Sequence, residues 1–449
     1  MDPSRTITQI ATAPGNGAVA IIRISGPKAF SITNSFFSKD ILSFSSHTAH
    51  LGKIYSLDGT VLDEALVLLM KNPNSFTGED VVEIHCHGGQ FVTNKILQRA
   101  IDAGADPATP GEFTYRAFAN KKIDLTKAEA IQKIISAKND GALKSAQKHL
   151  EGALFKKITS FQKELIAITA IVEASIDFPE EDLEFSTPKE LTEQLETLTG
   201  QMKALEETFE YGKIVHQGLT LCLCGSVNVG KSSLLNALLK KERAIVTNIA
   251  GTTRDVLEED LSIGNFHLKA IDTAGIRETS NVIEKEGIKR SVKAMNEADI
   301  LLCVLDAEKG FTKEVEEFVQ TLPREKSLLV WNKIDKKTVA DFSYALPTAY
   351  VSAKEDKGIS SLIKLLEKHI QRSDIDKEEV ILTEKRHKSA LHHAIESCKL
   401  AKEGLSSNQS PEFISSDLQE ALRQLSSIIG TNVTEDLLDA IFSTFCLGK

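Results

Sequence analysis

The chain has 449 residues, of which 41% are hydrophobic, and a formal net charge of −10. This length predicts two to four domains, and the acidic balance excludes a global attraction to nucleic acid or to an anionic membrane, so any RNA contact must be local or supplied by a partner. The six cysteines show no disulfide or zinc spacing, and there is no signal peptide and no apolar run near about 18 residues. The sequence therefore predicts a soluble, cytoplasmic protein.

Residues 1–120 alternate short strands and helices. Strand-like runs occupy 19–25, 65–70 and 81–86, and the last of them ends at Gly88-Gly89 and leads into an amphipathic helix over 90–101. Cys86 lies between His85 and His87. Because alternate residues of a strand point to opposite faces, only the two histidines could converge, and we do not expect a metal site there.

From residue 125 to residue 209 the spacing of apolar residues is helical. Two apolar stripes, separated by a break at 177–179, recur at three- and four-residue steps and predict the core of a helical bundle, with the second stripe on one long helix. The stripes consist of Ile158, Phe161, Leu165, Ile168 and Val172, and of Leu191, Leu195, Leu198, Met202, Leu205 and Phe209.

A complete phosphate-binding loop, Gly225-Ser-Val-Asn-Val-Gly230-Lys231-Ser232, follows an apolar strand over 219–224 and leads into a helical pattern over 233–238. In this context the backbone N–H groups and the helix N-terminus face the phosphates. Lys231 is expected to reach the β- and γ-phosphates, and the Ser232 hydroxyl to bind Mg²⁺. Strand–helix alternation over 216–372 predicts a mostly parallel sheet around this loop.

Three further elements follow the loop in order. Asp272-Thr-Ala-Gly275 comes after the strand-like run 266–271 and is suited to a metal and a γ-phosphate. Asn332-Lys333-Ile334-Asp335 follows the apolar run 328–331, and Asp335 predicts guanine because only a carboxylate accepts from its adjacent N1–H and 2-amino donors. Ser352-Ala353-Lys354 would contact the base from above. Four elements in this order predict a GTP-binding domain.

The segment Thr247-Asn-Ile-Ala-Gly-Thr-Thr-Arg-Asp255 predicts a switch in which Thr252 or Thr253, with Thr253 the first choice, completes the Mg²⁺ shell. Ile276 stands where many GTPases place the glutamine that orients the attacking water, so another polar group must do this. The candidates are Glu278, Glu284 and Glu286.

Positive charge is also needed to offset the charge of the transition state. Arg254 and Arg277 are candidate arginine fingers. Asn228 in the phosphate-binding loop offers a different solution, because its amide oxygen could hold a monovalent cation against the phosphates.

A pattern of residues typical of helices begins again after 374–379 and continues to residue 449. The simplest architecture is multidomain α/β plus all-α, with the nucleotide-binding domain inserted into a helical domain whose two halves pack together. The predicted bounds are 1–120 for an N-terminal α/β domain, 121–215 and 373–449 for the helical halves, and 216–372 for a Ras-like P-loop GTPase domain.

Several further motifs accompany the phosphate-binding loop with Asn228. They are Pro14-Gly-Asn-Gly17, Ile22-Arg-Ile-Ser-Gly26, Asn74-Ser-Phe-Thr-Gly-Glu-Asp80, Glu83-Ile-His-Cys-His-Gly-Gly89, Pro110-Gly-Glu-Phe113, Arg116-Ala-Phe118, Asp124-Leu125, Gly251-Thr-Thr-Arg-Asp255 and Phe445-Cys-Leu-Gly-Lys449. With these motifs the chain resembles, over its whole length, the MnmE/TrmE family, the GTPases that act on C5 of the wobble uridine of tRNA in 5-carboxymethylaminomethyl modification. The motif at 445–449 is the most specific, with a leucine where isoleucine also occurs in the family.

The resemblance implies that K⁺ replaces an arginine finger and that Glu284 orients the attacking water. Thr253 would join Ser232 on Mg²⁺. The K⁺ ligands would be Asn228, Thr247, Ile249 and Thr252. The GTP-binding residues would be Asn228, Val229, Gly230, Lys231, Ser232, Ser233, Thr247, Asn248, Ile249, Ala250, Gly251, Thr252, Thr253, Asp272, Thr273, Ala274, Gly275, Asn332, Lys333, Asp335, Ser352, Ala353 and Lys354.

The resemblance also implies that the N-terminal domain has the folate-binding fold of the glycine-cleavage T-protein and mediates homodimerisation. A tetrahydrofolate such as 5-formyltetrahydrofolate would bind through Arg23, Glu83, Lys122 and Lys449. Cys446 would lie near that site, where it would act as a nucleophile in its thiolate form or as an acid in its thiol form.

Arg23 and Glu83 each interrupt an apolar strand run and therefore need partners. One interpretation is that the two pair with each other or with neighbouring groups. The other is that they bind a pterin, whose 2-amino and ring N–H groups donate to a carboxylate and whose oxygens meet an arginine.

Finally, the resemblance implies a heterotetramer with MnmG, an FAD- and NADH-dependent protein, which together with this chain adds an aminomethyl-type group from a tetrahydrofolate carbon. tRNA would bind largely through that partner, and no membrane is involved.

Two alternative functions remain open. One is a regulatory GTPase of ribosome assembly, a class that shares the switch style of 251–255 but usually carries a basic RNA-binding domain. The other is a folate-dependent aminomethyl transferase for which GTP is a structural ligand.

Overall fold

The computed structural model describes residues 4–178, 187–242, 259–264, 266–271, 294–337, 345–370 and 380–448. They form two compact units, each with a six-stranded sheet. The first unit comprises the described parts of Met1–Gln132, His149–Thr187 and Glu403–Lys449, and the second those of Lys133–Lys148 and Pro188–Lys402.

The sheet of the first unit has the strand order β3-β4-β5-β2-β1-β6. The strands are β1 (Ile7–Ile10), β2 (Val19–Ser25), β3 (Thr48–Tyr55), β4 (Val61–Met70), β5 (Val81–His87) and β6 (Asp106–Pro107). Neighbouring strands are antiparallel except β1 and β6, which are parallel. On β2, Ala20, Ile22 and Ile24 belong to the core, so Arg23 lies on the opposite face. The three predicted strands of this region are confirmed.

The helices, in chain order, are α1 (Ala29–Asn34), α2 (Gln90–Asp102), α3 (Glu112–Ala119), α4 (Leu125–Ser136), α5 (Asp140–Leu150), α6 (Ala153–Asp177), α7 (Pro188–Glu207), α8 (Phe209–Gln217), α9 (Lys231–Glu242), α10 (Lys313–Gln320), α11 (Ile359–Ile370), α12 (Lys385–Ser406), α13 (Pro411–Ile429) and α14 (Glu435–Phe442). Short 3₁₀ turns occur at Ile41–Ser43 and Arg324–Lys326.

Helices α6 and α13 pack together in the first unit. All five residues of the first predicted stripe are buried on α6, which ends at Asp177, where the sequence predicted a break. Gln162 Nε2 donates to Ser426 Oγ at 2.9 Å, and Gln419 Nε2 donates to Glu173 Oε1 at 2.7 Å. Helical segments from before and after the nucleotide-binding region therefore pack against each other, and the predicted domain bounds stay a prediction.

The second stripe departs from the prediction of one long helix. Its first five residues are buried on α7, but α7 ends at Glu207, and Phe209 begins α8. Between them, the Thr208 hydroxyl donates to Leu205 O at 2.7 Å and accepts from Leu382 N at 2.9 Å. The helix break thus coincides with a contact to a segment distant in sequence, which local spacing does not reveal.

The sheet of the second unit has the order β12-β11-β10-β7-β9-β8. The strands are β7 (Leu219–Cys224), β8 (Glu259–Ile263), β9 (Phe266–Ile271), β10 (Ile300–Asp306), β11 (Ser327–Asn332) and β12 (Thr348–Tyr350). All pairs are parallel except β8 with β9. Alternate residues of β7 and β10 enter different cores on the two faces, and burial on both faces explains why these strands read as unbroken apolar runs.

Among the described residues, no helix combines the length and the apolarity needed to cross a bilayer.

Candidate functional site

The three nucleotide motifs that lie within the described residues meet at one edge of the second sheet. The phosphate-binding loop follows β7, Asn332 ends β11, and Ser352 lies just after β12. Because these strands are parallel, their carboxyl ends share an edge, which is where open α/β sheets bind ligands.

The two glycines of the phosphate-binding loop are required by its backbone. Gly225 has a φ of 137° and Gly230 a φ of 92°. A Cβ atom at Gly225 would lie 2.3 Å from Val304 O, and one at Gly230 would lie 2.4 Å from Asn332 Nδ2. The loop therefore packs directly on neighbouring backbone and side-chain atoms. Within it, Lys231 Nζ donates to Gly225 O at 2.8 Å and to Ser226 O at 2.9 Å.

Asn332 joins three of the motifs. Its Nδ2 donates to Val229 O at 3.0 Å, and its Oδ1 accepts from Lys333 N at 2.9 Å and from Ala353 N at 3.1 Å. The side chain is buried, so these bonds are shielded from water. Asn332 thus holds the phosphate-binding loop, its own turn and the 352–354 loop in a common arrangement.

Asp335, the predicted guanine-binding residue, is exposed. Its Oδ1 accepts from the buried Ser352 hydroxyl at 2.5 Å. This hydrogen bond is the main reason that the pKa of Asp335 lies below its usual value. Ser352 therefore orients the carboxylate and stabilises its ionised form, which is the form that guanine recognition needs.

Asp306 is a residue of this site that sequence reasoning missed. It ends β10, is only 5% exposed, and accepts from Lys333 Nζ at 2.7 Å. Burial raises its pKa, but the hydrogen bond from Lys333, the Glu308 N–H and nearby positive charge outweigh that effect and lower it overall. The available signal was an aspartate ending the apolar run 300–305.

Asn228, the predicted cation ligand, has a φ of 64° and is exposed. Its carbonyl oxygen accepts from Lys333 Nζ at 2.6 Å. Its side-chain amide makes no hydrogen bond within the described part of the chain, and so remains available to a ligand.

In the first unit, Arg23 and Glu83 are opposite each other on β2 and β5 and form an ion pair. Arg23 Nε and Nη2 both donate to Glu83 Oε1, at 2.9 and 2.7 Å. The side chains are 18% and 14% exposed. The pairing anticipated as one interpretation is therefore present. Glu83 Oε2 faces His85 Nε2 at 3.4 Å, too long for a strong hydrogen bond, and thus keeps capacity to accept from a ligand.

The end of the chain lies beside this pair. Gly448 O accepts from Arg23 Nη1 at 3.5 Å, and a Cβ atom at Gly448 would lie 2.2 Å from Ile10 O. Cys446 is exposed. Lys122 Nζ donates to Pro73 O at 2.9 Å. Lys449, the fourth predicted folate residue, lies outside the described residues.

Comparison with known proteins identifies the family. The model described as GTP-binding protein TrmE N-terminus matches residues 6–122, and the model described as MnmE helical domain matches residues 125–446. The chain belongs to the MnmE family of tRNA-modification GTPases. The tRNA modification GTPase MnmE of Protochlamydia amoebophila (strain UWE25) is 50% identical over 449 residues, which are 100% of this chain and 98% of that protein.

A second member, the tRNA modification GTPase MnmE of Chlamydia abortus (strain DSM 27085 / S26/3), is 44% identical over 448 residues and 99% of each chain. Among solved structures, Aquifex aeolicus Era bound to GDP·AlF4⁻ is 26% identical, covers 40% of this chain and 66% of that chain, and has a TM-score of 0.27.

Several residues to which the MnmE resemblance assigns roles lie outside the described residues. They are the switch residues 247–253, the motif 272–275 and the predicted water-orienting residue Glu284. Their roles stay predictions.

Proposed function

We propose that this chain is a K⁺-activated GTPase that, with the FAD-dependent partner MnmG, adds an aminomethyl or carboxymethylaminomethyl group to C5 of the wobble uridine of tRNA. GTP hydrolysis in tRNA modification follows from family membership over the full chain. The observation that carries the nucleotide assignment is the arrangement of Asn332, Asp335 and Ser352 beside the phosphate-binding loop.

Two metal ions belong to this proposal. Ser232, the second residue of α9, and Thr253 would hold Mg²⁺. Asn228, Thr247, Ile249 and Thr252 would hold K⁺, which supplies positive charge at the phosphates during hydrolysis. The side-chain amide of Asn228, which makes no hydrogen bond to the described residues, supports this assignment, because an amide oxygen is a suitable ligand for a hard cation.

The tRNA-modifying part of the proposal is tested in cells. Mass analysis of wobble uridines in tRNA from cells lacking this protein should show loss of the C5 substituent, and expression of the intact chain should restore it. Unchanged wobble uridines would contradict the proposal and favour the ribosome-assembly alternative.

The folate part of the proposal assigns a pterin to Arg23 and Glu83, with Lys122 and Lys449 completing the site and Cys446 beside it. Two observations support this folate site: Glu83 Oε2 retains the capacity to accept a hydrogen bond, and the segment at Gly448 lies close to Arg23.

The proposed function as a whole also includes a homodimer, a heterotetramer with MnmG and a cytoplasmic location.

Titration calorimetry with 5-formyltetrahydrofolate should give a binding heat with the unaltered chain and none with Arg23→Ala or Glu83→Ala. Because the ion pair is only partly buried, the free energy of unfolding of each variant should fall by less than about 3–5 kcal/mol, which is the cost of breaking a fully buried pair. A matched control exchanges the two residues, Arg23→Glu with Glu83→Arg. It restores an ion pair and should restore the melting temperature, but not folate binding.

The swapped protein separates a structural role from a binding role. If it binds 5-formyltetrahydrofolate as the unaltered chain does, or if the unaltered chain gives no heat, the pair is structural and the folate assignment is wrong.

A further inference from the structure

Lys333 connects Asp306 to the phosphate-binding loop. Lys333 Nζ lies 2.7 Å from Asp306 Oδ2 and 2.6 Å from Asn228 O. The backbone of Lys333 has a φ of 66°, which is uncommon for a residue other than glycine, and its N–H donates to Asn332 Oδ1 at 2.9 Å. Its ammonium group is held by Asp306 and by Asn228 O.

Asp306 is held at its other oxygen. Glu308 N donates to Asp306 Oδ1 at 2.9 Å, and Asp306 pairs in register with Asn332 across β10 and β11. The carboxylate thus has a defined position in the sheet, whereas the lysine has a flexible four-carbon stem. The order of the interactions runs from the rigid strand, through Asp306 and Lys333, to the backbone of Asn228.

Asn228 is the point at which this chain of contacts meets the ligands. Its carbonyl oxygen is engaged by Lys333, and its side chain is exposed. A carbonyl fixed by an ammonium group restricts the peptide plane, and hence the direction in which the amide side chain leaves the loop. Two charge-assisted hydrogen bonds in series are stronger than neutral ones and suit this purpose.

We propose that Asp306 is a positioning residue for nucleotide and monovalent-cation binding. Through Lys333 it fixes the backbone of Asn228, and so sets the geometry that the phosphates and the cation meet. The inference rests on the proposed GTPase function, and it adds a residue outside the nucleotide-binding motifs.

The test compares Asp306→Asn with Asp299→Asn. Asp306 is the last residue of β10, whereas Asp299 lies immediately before its first residue. There, Asp299 Oδ2 accepts from Thr220 N at 2.8 Å and from Thr220 Oγ1 at 2.6 Å. Both substitutions remove a carboxylate bonded within the sheet, but only Asp306 contacts Lys333. Fluorescence titration with a labelled GDP and steady-state GTP hydrolysis over a K⁺ series provide the readouts.

We expect Asp306→Asn to weaken GDP binding by about tenfold to a hundredfold, the range produced by loss of one charge-assisted hydrogen bond. The K⁺ concentration for half-maximal hydrolysis should also rise. Asp299→Asn should leave both quantities unchanged, although both variants lower the melting temperature. Adding Lys333→Met to Asp306→Asn should cost less than the sum of the single changes, because both remove the same connection.

Wild-type GDP affinity and K⁺ response in Asp306→Asn would overturn the inference. So would an equal K⁺ shift in Asp299→Asn, because the effect would then be a general one on the sheet. If Asp306→Asn does not fold, Lys333→Gln breaks the connection from the other end, and an unchanged K⁺ response there would also overturn it. Absence of GTP turnover in the unaltered chain would instead refute the proposed function.

Discussion

Replacing K⁺ by Na⁺ is expected to lower GTP turnover by about 10³-fold or more, the scale of a missing transition-state charge in arginine-finger systems. Ile276 cannot orient water, and Asn228 presents an amide side chain that is not engaged in the described structure. A cation of the radius of K⁺ held there would offset charge that develops on the phosphates. Na⁺ is smaller and should fit the same ligands poorly.

Steady-state hydrolysis in matched KCl and NaCl buffers measures this effect. Asn228→Ala should remove most of the K⁺ stimulation, whereas Asn236→Ala, an exposed asparagine on α9, should retain it. Equal rates in the two salts would contradict the prediction and make Arg254 the leading candidate for the missing charge.

Asp335→Asn should weaken GTP binding by up to about 10⁴-fold, the lower end of the range for sites whose hydrogen-bonding partner is lost. The carboxylate that Ser352 orients would accept from the two adjacent donors of guanine, and an amide cannot accept from both. Xanthine carries an oxygen in place of the 2-amino group, so the variant should favour xanthosine triphosphate.

Competition between the two nucleotides, measured with a labelled GDP, tests the change in preference. Asp356→Asn is the matched control, because Asp356 is an exposed aspartate in the loop after β12, where it pairs with Lys241 at 3.2 Å. Ser352→Ala should weaken GTP binding less than Asp335→Asn, since the carboxylate remains but loses its orientation. If Asp335→Asn keeps the preference for GTP, the guanine contact is misassigned.

Acidification tests the hydrogen bond between Ser352 and Asp335. Ser352 lowers the pKa of Asp335 below its ordinary value of 3.8, so the group stays ionised in the folded protein to a lower pH than in the unfolded chain. The contribution of this hydrogen bond to the free energy of unfolding is therefore fully present above pH 3.8, and it is lost only as the pH falls through the lower pKa of the folded state.

The sequence alone determined the parts of this protein whose causes are local. The strands over 219–224 and 266–271 have the predicted bounds because their apolar residues are buried on both faces of one sheet. The stripe on α6 is buried as predicted because helical spacing selects one face. The phosphate-binding loop and Asp335 were recognisable because their chemistry requires particular residue types at fixed positions in the chain.

Tertiary structure decided the features that depend on contacts between distant segments. Whether Arg23 and Glu83 can pair with each other depends on the antiparallel register of β2 and β5, which places them opposite each other although they are 60 residues apart in sequence. The apolar stripe over 191–209 is split between α7 and α8 at Thr208, whose hydroxyl accepts a hydrogen bond from Leu382 N. The contacts of Asp306 with Lys333 and of Lys333 with Asn228 depend on the alignment of β10 with β11. Strand register and loop packing are cooperative properties of the folded chain, and residue spacing does not encode them in a readable form.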